Sequence, residues 1–459
     1  MQKQLLWKCL TLFVLGLLLL VPLGRIESTI LERSSYRDEA VRQVAANSAG
    51  AQTLIGPLLV ITVEEEYDAE DVVGEGEQRR VRTVRRKRTH EVVLFPKKLA
   101  LNGDLNVEKR AYGLHEVAVF DLRSTLTGNF DPPAEADLPS KGPNAVMTWG
   151  RARLVMGLAD PRGIMAEPRI VLGDHELKPQ LGTGLASIKS GFQATLPETV
   201  PGMTKPLPFR IELKLAGTES FGMIPLGDQT TASLRSNWAN PSFGGGFLPR
   251  SRTVDDAGFT AQWSVTSLAA DVQRTVLNPV DKTVNGQPAS GSVEDLNSFR
   301  VKLIDPVDIY HQSVRAAKYG ILFVVLTFAA FFMFETVRNL PIHPVQYGLV
   351  GLALALFFLL LLSLSEHVSF YLSYAIAAFA SVALIVVYLA AVLRGWQRAL
   401  GFGTGLSLLF GALFGVLLSE QNALLLGSLL LFIVLAALML ATRGVDWYRL
   451  KPAAIEQGD

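Results

Sequence analysis

Hydrophobicity in this 459-residue chain is gathered at its two ends, and that unevenness limits the available folds more than any motif does. Near the start, "LLWKCLTLFVLGLLLLVPLG" (Leu5–Gly24) is an apolar run of roughly twenty residues, enough for a helix to cross a bilayer core of about 30 Å. It is long for the apolar stretch of a signal peptide and no A-x-A-like cleavage site follows, so an uncleaved anchor is expected. Five more spans are predicted towards the C-terminus: Tyr319–Val337, Tyr347–Leu364, Leu372–Leu393, Leu400–Leu418 and Ala423–Ala441.

The short connections orient these spans. Basic residues mark the loop with Arg338, the loop with Arg394 and Arg398, and the tail with Arg443, Arg449 and Lys451, whereas "SEHVSF" and "SEQNA" contain no Lys or Arg. By the positive-inside rule the basic loops are cytoplasmic, and Lys3 and Lys8 put the N-terminus on the same side. Residues 1–4 and 442–459 are then cytoplasmic ends, and everything between the first two spans is extracytoplasmic. Trp7, Tyr319, Tyr347, Tyr371, Tyr374, Trp396, Trp447 and Tyr448 fall near the expected interfaces, where amphipathic rings are favoured.

The insertion reads in two parts. Residues 25–55 carry Ile26, Ile30, Val41 and Val44 at helical spacing and Gly50 as a C-cap, which predicts a helix prolonging the first span. Residues 56–317 are rich in β-branched and aromatic segments such as "PLLVITVEEEY", "HEVAVFDLRSTLTG" and "PFRIELKLAG", separated by Gly, Pro, Asn and Asp. The expected fold is an integral membrane α-helical protein with six transmembrane helices and a large extracytoplasmic mainly-β domain, built as a sandwich or as paired sheets. "NPVDKTVNGQPASGS" is the best candidate for a mobile loop. With Cys9 as the single cysteine, no intramolecular disulfide can form.

Net charge is +1, so nothing global points to a polyanion, yet "RRVRTVRRKR" (Arg79–Arg88) is densely basic. An extracytoplasmic position excludes nucleic acid as its ordinary partner. The acidic run "EEEYDAEDVVGEGE" precedes it, and a turn at Gly74-Glu75-Gly76 would set Glu70 against Arg80, Asp68 against Arg82, Glu65 against Arg85 and Glu64 against Arg86. Ion pairs of Asp68 and Glu70 with Arg80 and Arg82 are therefore expected to register a hairpin. The alternative is contact of Arg85, Arg86, Lys87 and Arg88 with anionic lipid headgroups or a cell-wall polymer.

No catalytic or metal motif emerges. His90, His115, His175, His311, His343 and His367 form no spaced metal set, and neither a G-x-S-x-G elbow nor a Walker A loop occurs, so no metal, cofactor or enzymatic reaction is expected. "GFGTG" opens an apolar span instead of following a strand. Gly401 and Gly405, with Gly411 and Gly415, repeat the G-x-x-x-G spacing of a helix-packing face, which leaves a homo-oligomer open. The polar residues at membrane edges are Glu335, expected to pair with Arg338, together with His343, Glu366 and His367. "SNWANPSFGGGFLP" holds Trp238, Pro241, Phe243 and Phe247, either an apolar recognition loop or a turn buried in the core.

Several of these segments together resemble the CreD family of bacterial inner-membrane proteins: "ERSSYR" (Glu32–Arg37), "GPLLVITV" (Gly56–Val63), "SNWANPSFGGGFLP" (Ser236–Pro249), "GFTAQW" (Gly258–Trp263), "HPVQYGLVGLAL" (His343–Leu354), "LLSLSEH" (Leu361–His367) and "TRGVDWY" (Thr442–Tyr448). "SFGGGF" departs from the small-and-acidic form usual there, through Gly245 and Gly246. The resemblance implies a multi-pass protein of the inner membrane, linked to cell envelope integrity, an envelope-stress regulon and colicin tolerance. It implies no reaction and no catalytic residue. The expected role is non-catalytic: the periplasmic domain binds an envelope partner (a protein, lipid or cell-wall polymer) while the helices hold it in the bilayer. A transporter or lipid-handling protein built on the C-terminal helices is the alternative.

Overall fold

The continuous apolar run Leu58–Ile61 has both of its faces buried in the computed structural model, as expected of a strand in the middle of a layered sheet. Leu59, Ile61 and Val63 point into the main β core, and Leu58 and Val60 into a second cluster with Val155, Ile188, Ile224 and Leu226. The structure describes residues 2–73, 80–113, 115–133, 141–199, 205–269, 273, 283–284, 287–288, 298–304, 309–338, 342–393, 395–419 and 422–443. The Gly74–Gly76 turn, most of 278–292 and nearly all of the tail lie outside them.

Strands run in chain order as β1 (Gln52–Val73), β2 (Arg80–Leu94), β3 (Lys98–Tyr112), β4 (His115–Phe130), β5 (Val146–Leu158), β6 (Arg169–Leu172), β7 (His175–Leu177), β8 (Gln180–Leu181) and β9 (Gly191–Thr199). They continue as β10 (Leu207–Thr218), β11 (Ser220–Ile224), β12 (Gln229–Ser236), β13 (Pro241–Gly245), β14 (Ser251–Asp255), β15 (Gly258–Thr266), β16 (Thr283–Val284), β17 (Gln287–Pro288) and β18 (Phe299–Leu303). The helices are α1 (Gln2–Asn47), α2 (Ile309–Lys318), α3 (Gly320–Arg338), α4 (Pro344–Ser365), α5 (Phe370–Val392), α6 (Trp396–Leu418) and α7 (Ala423–Thr442).

Two compact units result, residues 39–306 and residues 1–38 with 307–459. The first is mainly β and holds two mixed eight-stranded sheets. Sheet A has the order β13-β18-β11-β1-β5-β9-β8 with β2 also paired to β1, and sheet B the order β14-β15-β12-β3-β4-β10-β6-β7. Most neighbours are antiparallel, but β1–β11 and β3–β12 are parallel, so distant segments are brought side by side. Alternate residues of both sheets fill the core between them, among them Phe120, Leu122, Leu126, Phe209, Ile211, Leu234 and Trp263 from sheet B and Leu154, Phe221 and Phe299 from sheet A. Gly56 interrupts β1 at a break in its pairing with β5; its φ of +114° and the Val155 carbonyl 3.0 Å from where a Cβ would stand require glycine there.

The helical unit follows the apolar pattern of the sequence. α1 is one helix of 46 residues that continues past the first apolar run and stops at Asn47, three residues before Gly50. Four C-terminal stretches, Gln312–Met333, Pro344–Ser365, Phe370–Val392 and Trp396–Leu418, join α1 as helices long and apolar enough to cross a bilayer, and α7 adds a sixth apolar helix. α2 falls within the stretch read as β-rich and belongs to the helical unit. Aromatic rings lock α3 to α6 together: Phe331 lies 4.6 Å from Tyr347, Phe357 lies 4.7 Å from Phe410, and Phe357 meets Tyr374 at 5.3 Å. The Tyr374 hydroxyl donates to the Phe410 carbonyl at 2.7 Å, so its polar end is satisfied within the bundle.

Candidate functional site

The segment read as either an apolar recognition loop or a buried turn forms a packed corner of the β unit. Trp238, Phe243 and Phe247 are partly buried against the main core. Phe243 meets Phe259 edge-on at 5.6 Å and Trp263 at 5.9 Å, and the Trp238 indole N–H donates to the carbonyls of Asn240 and Ile304 at 3.0 and 3.2 Å. Pro241 begins β13 in the same corner. These contacts pack the corner against the rest of the fold.

A different surface is open. On the outer face of sheet B a groove of about 760 Å³ runs across the strands, and register shows how it is assembled. One rung is Gln262–Ser233–Asn102–Thr125–Glu212–Arg169, each residue directly opposite the next on β15, β12, β3, β4, β10 and β6. Two residues along the strands lies a second rung, Thr260–Arg235–Asp104–Arg123–Lys214. Residues two apart share a face, so both rungs point out while Ala261, Leu234 and Leu213 between them point into the core. Five strand spacings of about 4.8 Å make the rung about 24 Å long.

Charge within the groove is only partly matched. Arg235 bonds Asp104 at 3.0 Å, Glu212 takes Arg210 at 3.0 Å and Arg169 takes Glu176 at 2.8 Å. Lys214 and Arg123 are direct opposites, and among the described residues neither has a carboxylate partner. Nothing in the individual strands announced this site. Alternating polar positions in "ALNGDLN", "RSTLTG" and "RIELKL" are what any solvated sheet face shows, and only the strand order collects them.

The acidic and basic segments do form the expected hairpin, β1 with β2, but in another register. The pairs are Asp68 with Arg85, Glu65 with Arg88 and Glu66 with Lys87, while Glu70 faces Thr83, Glu64 faces Thr89, Arg82 faces Asp71 and Arg80 faces Val73. The apolar foot of the hairpin decides this. In the observed register Leu59, Val60 and Ile61 face Leu94, Val93 and Val92; the expected one would have set them against Glu91, His90 and Thr89. Arg85, Lys87 and Arg88 accordingly pair inside the hairpin with Asp68 at 3.2 Å, Glu66 at 2.5 Å and Glu65 at 2.7 Å.

Glu65 is the centre of this network. Its side chain is buried and accepts from Arg88, from His90 Nε2 at 2.7 Å and from the Gly142 N–H at 2.7 Å. Arg88 first, then Gly142 and His90, hold its carboxyl down to about 2. Asp68 is also held below its ordinary value, chiefly by the Asn144 amide and then by Arg85.

In the helical unit the polar residues gather at two places. Glu335 is buried and takes Lys8 of α1 as its ion-pair partner, with the Tyr347 hydroxyl donating to it at 2.7 Å. The expected pairing of Glu335 with Arg338 falls on a side chain that lies outside the described residues. Long-range packing of α1 against α3 and α4 brought in a lysine over three hundred positions away. The second place joins Glu366 to Arg33 at 3.9 Å and to the Tyr310 hydroxyl at 3.4 Å. His343 caps α4, its Nδ1 accepting from the Val345 N–H at 3.3 Å, and His367 is exposed beside Glu366. Gly401, Gly405, Gly411 and Gly415 face outward with nothing nearby; the glycine of α6 that packs within the chain is Gly403, against Val386 of α5.

These features belong to a recognisable sequence type. The family described as Inner membrane protein CreD matches residues 4–448. Inner membrane protein CreD of Escherichia coli (strain K12) is 36% identical over 448 residues, covering 98% of this chain and 95% of that one. Among solved structures, a Legionella pneumophila protein described as a nutrient binding protein covers 51% of this chain and 77% of its own, at 8% identity and a TM-score of 0.26. Native leukotriene A4 hydrolase from Saccharomyces cerevisiae covers 37% of this chain and 27% of its own, at 10% identity and a TM-score of 0.19. Both scores are too low to bear on function, whereas the full-length sequence match is decisive: the chain belongs to the CreD family of inner membrane proteins.

Proposed function

We propose that this protein supports cell envelope integrity as a non-catalytic, multi-pass inner-membrane protein whose β unit lies on the periplasmic side and binds an envelope partner in the groove of sheet B. Both termini are then cytoplasmic, in keeping with the basic loops. The observation that carries the reading is the groove itself: eleven polar side chains in two aligned rungs, drawn from six strands. The family name is that of a membrane protein and not of an enzyme, which agrees with a binding role.

The test is complementation. A strain lacking the gene is scored for leakage and detergent sensitivity after expression of the wild type or of a groove variant carrying N102A, T125A and Q262A. The expected result is normal abundance with lost protection; full protection by the variant would remove the groove from function.

A second reading is favoured by one feature, the buried Glu335 with Lys8 and Tyr347. Ionisable groups within helical membrane bundles often mark transport or lipid handling. If that reading is correct, E335Q together with E366Q abolishes protection at unchanged abundance while the groove variant keeps it.

A further inference from the structure

We propose that the groove of sheet B binds an acidic glycan, a strand of linked sugars bearing carboxylate or phosphate groups, with Arg123 and Lys214 holding its charge. The proposal rests on the reading that the groove is the ligand-binding surface of the β unit, and it names the occupant.

Like charges placed directly opposite on adjacent strands repel. Arg123 and Lys214 are such a pair, and among the described residues neither is in an ion pair with Asp104, Glu167 or Glu212, the carboxylates that line the same groove. Asp104, opposite Arg123 on the other side, is bonded to Arg235. The fold thus holds a guanidinium and an ammonium side by side, a match for a carboxylate or phosphate, since guanidinium can bind both oxygens and ammonium adds a point charge.

The neighbouring rung supplies what a polyol needs. Asn102, Thr125, Ser233 and Gln262 each carry a group that both donates and accepts, one per strand at steps of about 4.8 Å. Every residue in the two rungs is polar, so an acyl chain or the apolar side chains of a peptide would bury nothing against them. The length of the rung, about 24 Å, fits a linear polymer better than a free anion.

Titration calorimetry of the full-length protein in detergent tests this, with oligogalacturonate, a neutral malto-oligosaccharide of equal length and oligo-glutamate as probes. Oligogalacturonate is expected to bind more tightly than either, and R123Q/K214Q to weaken it about tenfold or more, with a further loss in S233A/Q262A. Equal or tighter binding of oligo-glutamate, or oligogalacturonate binding unchanged in both variants, overturns the proposal. A photo-crosslinker at Thr260, in cells, separates this from failure of the underlying reading. Capture of a protein there, with no oligogalacturonate binding, keeps the groove and discards the glycan; no capture and no binding discards both.

Discussion

Glu65 and Arg88 face each other across the β1–β2 pair, Oε2 to Nε at 2.7 Å, and the glutamate is buried while the arginine is half exposed. A carboxylate in that position depends on its three donors, because burial alone would favour the neutral acid.

The first prediction concerns pH. The carboxyl of Glu65 lies at about 2 in the fold against an ordinary value of 4.5, so the folded state binds its proton less readily than the unfolded chain does. Its stabilising effect is therefore complete above about 4.5 and lost as pH falls towards 2. Asp68 and Glu66, held down by Asn144 with Arg85 and by Lys87, act in the same direction. Melting curves of the wild type and E65Q, followed by β-sheet circular dichroism, are expected to differ most near neutrality and to converge below pH 3. A constant gap would show that Glu65 does not carry the acid sensitivity.

Lys8 and Glu335 support a second prediction. Removing one member of a buried ion pair leaves the other without compensation, a loss of about 3 kcal/mol. E335Q and K8M are each expected to lower the melting temperature in detergent, and the double variant to recover part of the loss, since both charges are then gone. Simple addition of the two losses would mean that the residues do not interact.

These two networks also show what could be read from sequence. The spans were legible because about twenty apolar residues have few uses other than crossing a membrane, and β1 because Leu58–Ile61 is apolar on both faces. The hairpin was legible, its register was not. Charges near the turn are dense enough to satisfy more than one alignment, whereas Leu59–Ile61 against Val92–Leu94 tolerates one. Lys8 with Glu335, and the groove with its β3–β12 parallel pair, depend on contacts between segments more than a hundred residues apart, for which local pattern carries no signal.

A third prediction separates packing from recognition in the aromatic corner. Phe243 loses its contacts with Phe259 and Trp263 in F243A, at a cost of about 2 kcal/mol for a half-buried ring. Urea denaturation is expected to report that loss in F243A and a smaller one in W238A, while photo-crosslinking from the groove is unchanged. Loss of groove crosslinking at wild-type stability would return the corner to a recognition role.

The last prediction tests what the glycines of α6 are for. A Cβ on Gly403 would stand 2.3 Å from Val386 Cγ2, so α5 and α6 can approach as they do only with glycine there. Gly405, two residues on and facing outward, has open space instead. G403L is therefore expected to separate the two helices and reduce detergent-solubilised yield, at about 2 kcal/mol or more for a side chain forced into a packed contact. G405L should be neutral for the fold, within about 0.5 kcal/mol. Its effect on assembly is the informative part. If Gly401, Gly405, Gly411 and Gly415 form a contact between copies, G405L shifts the protein to smaller species in light scattering without lowering its melting temperature. Unchanged mass would leave the glycine face to lipid.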